Sequence, residues 1–224
     1  TNRKIQDLSG GEKQRVAIAR CLVSGADILL LDEPLTAVDT QLRNSLKDLL
    51  RSIHKLGKTI IHVTHDLNET KSLADKISVI HKGCIIETGS YNQVFNNPKN
   101  FFTAEFNNAK NCYRLKTSYE SFVEIGNTKL YFDENAITNK KYSGVFIAPQ
   151  DVKISNLNNS KIRNLITAEI ISVSKNGMKV EIELDAGFRI FSAMDYKEFI
   201  KSALNVGCEV KIEIEPKNIK LINS

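Results

Sequence analysis

The 224-residue sequence contains no run that approaches the roughly 18 apolar residues of a membrane-spanning helix. Its longest candidate, Ile28 to Leu31, ends at once in Asp32 and Glu33 and fits a buried strand instead. No charged-then-apolar leader follows Thr1, so no signal peptide is expected, and the missing initial Met suggests a fragment or a processed chain. The four cysteines, Cys21, Cys84, Cys112 and Cys208, include no CxxC pair, which favours scattered reduced thiols over a disulfide framework. A basic, aromatic-rich face of the kind that binds nucleic acid is also lacking.

What remains suits a soluble chain of one large or two ordinary domains. Hydrophobic residues make up 42% of it and charged residues 25%. A net charge of +5 permits anionic ligands or membrane proximity without requiring either. Three textures follow one another. From Thr1 to about Pro98, helical and strand patterns alternate. Glu12–Ser24 reads as a helix ended by Gly25, and Gln41–Leu56 as a second, with Leu42, Leu46, Leu49, Leu50 and Ile53 on one face. Asn68–Ala74 reads as a short third helix. Strands are expected at Ile28–Leu31, Thr59–Val63, Ile77–Ile80 and Cys84–Glu87, which together imply α/β layers around a parallel sheet. Residues 99–111 read as a short helix and linker. From Cys112 to Ser224 the pattern is mostly strand: Ser121–Phe132, Val145–Ile147, Ala168–Val173, Met178–Leu184, Arg189–Ala193 and Glu209–Ile214. Asn176-Gly177 and Ala186-Gly187 supply turns, and Tyr196–Leu204 is the one helical stretch. Short strands divided by turns suggest a small barrel.

Four segments of the first region carry chemistry. Leu8-Ser9-Gly10-Gly11-Glu12 opens a helix; its glycines admit a close backbone approach, and its hydroxyl, N–H groups and helix dipole suit a terminal phosphate. The same residues also serve as a plain N-cap, with Ser9 or Gly11 entering the helix. Ile28 to Pro34 is an apolar strand that delivers two adjacent carboxylates at its C-terminal end, where α/β ligand sites lie. Asp32 is placed to hold Mg²⁺ and Glu33 to orient or deprotonate an attacking water. Leu35-Thr36-Ala37-Val38-Asp39 forms a loop before the second helix. Val63-Thr64-His65-Asp66 ends the next strand with an imidazole able to meet a phosphate or a water. His62, inside that strand, reads as structural; His54 and His81 read as surface or satisfied histidines.

In this order and at these intervals, the four segments resemble the ATPase domain of ABC transporters, whose signature motif, Walker B, D-loop and switch histidine they match over Thr1 to about Pro98. The resemblance implies that Ser9, Gly10, Gly11 and Glu12 meet the γ-phosphate held by an opposite subunit. It also implies that Asp32 serves Mg²⁺, Glu33 is the catalytic carboxylate, Asp39 couples the two sites and His65 stabilises the transition state. The implied cofactors are ATP and Mg²⁺. Ser52 to Thr59 nearly spells a phosphate-binding P-loop, but Ser52 replaces the first glycine and a helix precedes where a strand should. With no P-loop in the sequence, the implied expectation is an N-terminal portion upstream and no hydrolysis by this chain alone.

The C-terminal region resembles the accessory TOBE barrel of importer ATPases. Phe146 to Val152 looks like that barrel's R-P-E-D-V segment, with Ala148 and Gln150 in place of Arg and Glu. Lys161-Ile162-Arg163-Asn164 resembles the barrel of molybdate and tungstate importers, with Lys161 where that group has Ser. Two readings follow: a structural dimerisation barrel, or an oxyanion sensor with Lys161, Arg163 and Asn164 as candidates.

The expected fold is therefore α/β: a partial P-loop NTPase domain over 1–98, a helix and linker over 99–111, and a small all-β OB-like barrel over 112–224. The function the resemblance implies is the energy-coupling subunit of an ABC importer at the cytoplasmic membrane face. Its implied partners are a second copy, a permease and, indirectly, an extracytoplasmic binding protein, without nucleic acid. Molybdate or tungstate is the leading cargo, with sulfate, iron, polyamine or sugar as alternatives. A non-catalytic oxyanion-binding or regulatory protein with an ATPase remnant is the competing class.

Overall fold

The computed structural model describes residues 6, 8–36, 38–115, 121–133, 142–155 and 163–223. The chain divides into two compact units, Thr1–Asp75 and Lys76–Ser224. Among the described residues, no helix is long and apolar enough to cross a membrane. All four cysteines are free thiols.

The first unit runs α1 (Gly10–Val23), β1 (Ile28–Asp32), α2 (Thr40–Lys55), β2 (Thr59–Val63) and α3 (Leu67–Leu73). Each helix starts where a side chain takes over an orphan backbone N–H. Ser9 caps α1, Asp39 caps α2 through the Leu42 N–H, and Asp66 caps α3 through the N–H groups of Asn68 and Glu69. β1 and β2 pair in parallel, with Ile28 opposite Thr59 and Asp32 opposite Val63, and α2 supplies the crossover that parallel pairing demands. The core takes Ile18 from α1, Leu29 and Leu31 from β1, Leu46, Leu50 and Ile53 from α2, and Leu35 and Val38 from the intervening loop. Each aliphatic side chain so buried contributes roughly 1.5–3 kcal/mol.

The strand expected to be buried throughout is buried on one face only. Successive strand side chains point to opposite sides, so Leu29 and Leu31 face the helices while Ile28 and Leu30 are exposed, as are Ile61 and Val63 of β2.

The second unit opens with the hairpin β3 (Ile77–His81) and β4 (Cys84–Gly89), then α4 (Tyr91–Val94) and α5 (Phe101–Phe106). Strands dominate from there: β5 (Cys112–Arg114), β6 (Phe122–Ile125), β7 (Thr128–Tyr131), β8 (Gly144–Ile147), β9 (Val152–Ser155), β10 (Leu165–Asn176), β11 (Lys179–Asp185) and β12 (Arg189–Asp195). α6 (Tyr196–Ser202), β13 (Glu209–Ile214) and β14 (Ile219–Ile222) complete the unit. Five strands form an antiparallel sheet in the order β12-β11-β10-β13-β9, three form β14-β8-β5, and β6-β7 make a hairpin. The five-stranded sheet curls far enough for the Ser192 hydroxyl on one edge strand to donate to the Val152 carbonyl on the other at 2.6 Å. A single core fills it, including Val123, Leu130, Ile147, Ile170, Ile182 and Ile212. A mixed α/β unit followed by a β-rich region agrees with the expected fold class.

Several segments differ in detail. Ser121–Phe132 is two strands rather than one, turned at Gly126, which takes φ +59. β5, β9 and β14 were absent from the expected strands. The edge of β12 is occupied in an unusual way: the fully buried Asn111 accepts the Phe191 N–H at 2.7 Å and donates to the Phe191 carbonyl at 2.8 Å.

Candidate functional site

The two parallel strands of the first unit end side by side, and their last residues bring Asp32, Glu33 and His65 to one edge of the sheet. The backbone turns sharply there. The Glu33 N–H still donates to the Val63 carbonyl at 2.9 Å, but Glu33 adopts φ +43, in the left-handed region. For a residue with a Cβ that conformation costs roughly 1–2 kcal/mol. Buried Pro34 and Leu35 anchor the turn from the other side.

The strained turn aims the Glu33 carboxylate across to the β2 loop. Oε1 accepts from the His65 ring Nδ1 at 2.5 Å and from the His65 backbone N–H at 3.2 Å. Oε2 accepts the Thr36 hydroxyl at 2.7 Å. The Thr36 hydrogen bond first, and then His65, hold the Glu33 carboxyl below the ordinary carboxylate range. The same contact raises His65 above the usual imidazole value, with the Glu33 hydrogen bond as the leading cause and its charge second. The histidine ring itself remains largely in solvent, with its side chain 73% exposed. Asp32, one residue back, is also exposed.

A buried layer that the sequence reading passed over supports the histidine loop. Glu69, only 2% exposed, accepts the Thr64 hydroxyl at 3.0 Å, and Thr64 in turn accepts the Asp66 N–H at 3.1 Å. Arg43 of α2 reaches the Asp66 carboxylate at 3.7 Å. His62 lies 3.5 Å from the Glu69 carboxylate, and burial lowers its proton affinity, in keeping with a structural role. Thr64 and Glu69 stand five residues apart across a loop, a spacing with no helical or strand period to flag it.

The glycine-rich segment builds a helix start. Ser9 accepts the Glu12 N–H at 3.3 Å while Glu12 accepts the Ser9 N–H at 2.9 Å, a reciprocal capping box. Gly10 begins α1, and Gly11 is buried where α1 passes α2. A Cβ at Gly11 would overlap the Leu42 side chain and come within 3.3 Å of Val38. Ser9, Glu12, Arg15, Asp39, Gln41, Leu42 and Ser45 line one open hollow, so the first and third motifs meet there. The Asp39 carboxylate is used at its rim, accepting the Leu42 N–H at 2.9 Å.

The C-terminal candidates separate. Lys161 lies outside the described residues. The Arg163 guanidinium stands over the Tyr131 ring, 5.0 Å from its centre. Asn164 is 2% exposed, and its amide is engaged throughout: Oδ1 accepts the Tyr131 N–H at 2.7 Å, and Nδ2 donates to the carbonyls of Tyr131 and Ile214 at 2.8 and 3.0 Å. It ties β7 to β13.

Residues 1–36 match the ABC transporter family. Over 98% of its length the chain is 32% identical to the "Spermidine/putrescine import ATP-binding protein PotA" of Clostridioides difficile (strain 630), of which it covers 61%. Over 99% of its length it is 33% identical to the protein of the same name from Clostridium novyi (strain NT), again covering 61%. The chain is thus similar to proteins named as import ATP-binding proteins. It spans about three fifths of the length of these relatives. Among solved structures, the dimeric post-hydrolysis state of the ATP-binding cassette MJ0796, bound to ADP and Pi, is 34% identical to it, with a TM-score of 0.37 over 40% of this chain and 39% of that one.

Among the described residues, no cluster of three or more His, Cys, Asp or Glu side chains stands together to hold a metal ion. Mg²⁺ in phosphate chemistry is usually held by one or two carboxylates, water and the phosphates themselves. The exposed Asp32 carboxylate, beside Glu33 at a strand end, fits that mode.

Proposed function

We propose that this chain forms part of the ATP-hydrolysing, energy-coupling subunit of an ABC importer. The observation that carries the proposal is the Glu33–His65 pair, which joins the C-terminal ends of two parallel strands at 2.5 Å. Glu33 orients and deprotonates the water that attacks a terminal phosphate, and His65 holds the carboxylate and offers an N–H to the reacting group. Asp32 would hold Mg²⁺, which when bound offsets the negative charge of the phosphates. Ser9, Gly10, Gly11 and Glu12, at the N-terminus of α1, present N–H groups and a hydroxyl to a nucleotide carried by a second copy, and Asp39 links that surface to the hydrolytic edge. A permease at the cytoplasmic membrane face is the partner that hydrolysis drives, and residues 112–224 form an accessory barrel.

Polyamine import is the cargo reading best supported, because the relatives that match almost the whole chain carry that name. The oxyanion reading would require Asn164 as a donor, and its amide is already spent on the Tyr131 and Ile214 backbones. ATP turnover by the full-length gene product with its permease, with and without spermidine and its binding protein, tests both parts. Glu33→Gln is expected to lower turnover by about two orders of magnitude or more. Stimulation by spermidine supports the cargo, and stimulation by molybdate alone overturns it. A Glu33→Gln variant as active as wild type overturns the ATPase reading.

A further inference from the structure

We propose that Thr36 is the positioning residue for Glu33. The inference rests on the ATPase reading above. A carboxylate at the end of a strand turn has freedom about each of its side-chain torsions, and a base is useful only within hydrogen-bond reach of its water. Here the backbone fixes only where the Glu33 side chain starts. The Thr36 hydroxyl fixes where it ends, donating to Oε2 at 2.7 Å while His65 takes Oε1.

The geometry is local. Leu35, between the two residues, is fully buried, so the Glu33–Thr36 turn is anchored in the core, while the Thr36 side chain faces outward with Glu33. The Thr36 backbone N–H closes the same turn on the Glu33 carbonyl at 3.4 Å. Three residues on, Asp39 caps α2, at the hollow that also contains Ser9. Serine can make the same bond; valine keeps the shape of threonine without it.

The test is ATP turnover by the full-length gene product carrying T36V, T36S or E33Q, with thermal unfolding of each. T36V is expected to lower kcat about tenfold while KM for ATP stays within about twofold, because a hydrogen bond to a charged group is lost and nucleotide contacts are not. T36S is expected to remain within about twofold of wild type, and the unfolding midpoints of the T36V and T36S variants to coincide with that of wild type, since Thr36 is exposed. Wild-type kcat in T36V alongside an inactive E33Q overturns the positioning role and leaves the ATPase reading standing. A T36V loss that T36S fails to restore, or one that follows a lowered unfolding midpoint, also overturns it. An E33Q variant that turns over like wild type overturns the ATPase reading and the role of Thr36 together.

Discussion

Gly11 of α1 lies against Leu42 of α2 so closely that a single added methyl group would overlap the leucine side chain. The glycine expected to open space for a phosphate also opens space for a neighbouring helix. Gly11→Ala would gain up to about 1 kcal/mol of helix propensity but lose about 1–3 kcal/mol to overpacking. A net loss of stability is expected in denaturant unfolding of the chain. Leu42→Ala, which makes room, is expected to recover most of it in the double variant. Additive losses would show that the two side chains do not meet.

The Glu33–His65 contact carries a pH signature. The folded-state value of His65 lies above its ordinary 6.5, through the Glu33 hydrogen bond and charge with smaller help from Asp66 and Glu69, while burial acts weakly the other way. The contact's stabilising effect is thus fully present below pH 6.5 and fades as the pH rises through the higher folded-state value. On the acid side Glu33, held below its ordinary 4.5 by Thr36 and His65, keeps its contribution above pH 4.5 and loses it as the pH falls through the lower folded-state value. Proton NMR of the histidine rings is expected to show one resonance titrating above 6.5, and Glu33→Gln is expected to bring it back toward the ordinary value. A His65 ring that titrates at 6.5 or lower in the wild-type chain would contradict the contact.

Asn164 makes three buried hydrogen bonds to main-chain groups of two strands. Asn164→Ala would strand those groups and is expected to cost on the order of 3 kcal/mol in the β-rich unit. Asn164→Asp replaces a donating amide with a charge facing two carbonyls and is expected to cost more. Chemical denaturation followed by tyrosine fluorescence measures both; a change below about 0.5 kcal/mol would remove Asn164 from the framework.

Burial pushes the Cys112 thiol up to about 11, with Glu105 adding to the shift and Arg114 opposing it. Cys84 and Cys208 are exposed. At pH 8 a maleimide is expected to label those two at least about tenfold faster than Cys112, since the thiolate is the reacting form. Mass spectrometry of timed digests reads the order directly.

Elements with a strong period were legible in the sequence to within a residue or two. The heptad-like leucines of α2 and the alternation of β11 and β13 each place their own boundaries, because one buried face repeats at the pitch of the element. What stayed hidden was either too short to show a period or set by distant partners. β9 and β14 are four residues each, both directly following a Pro-led 3₁₀ turn. Gly126 was concealed inside one long β-branched run. In the candidate site, Asp32, Glu33 and His65 were legible from motif order alone. The Thr36, Thr64 and Glu69 hydrogen bonds were not, since they join residues three to five apart across loops that follow no helical or strand period. Asn164 read as a possible ligand group because its burial between two strands leaves no local mark.

The bidentate grip of Asn111 on Phe191 has a consequence for the chain in company. An outermost strand normally offers its bare amides to any other extended polypeptide, which is how soluble proteins begin to stack into fibres. One side chain here plays the part of a missing neighbour, filling the donor and acceptor of Phe191 in β12 with an amide that belongs to the same molecule. Asn111 is in this sense a gatekeeper against self-assembly, and it occupies the last position of what reads, in sequence, as a featureless linker.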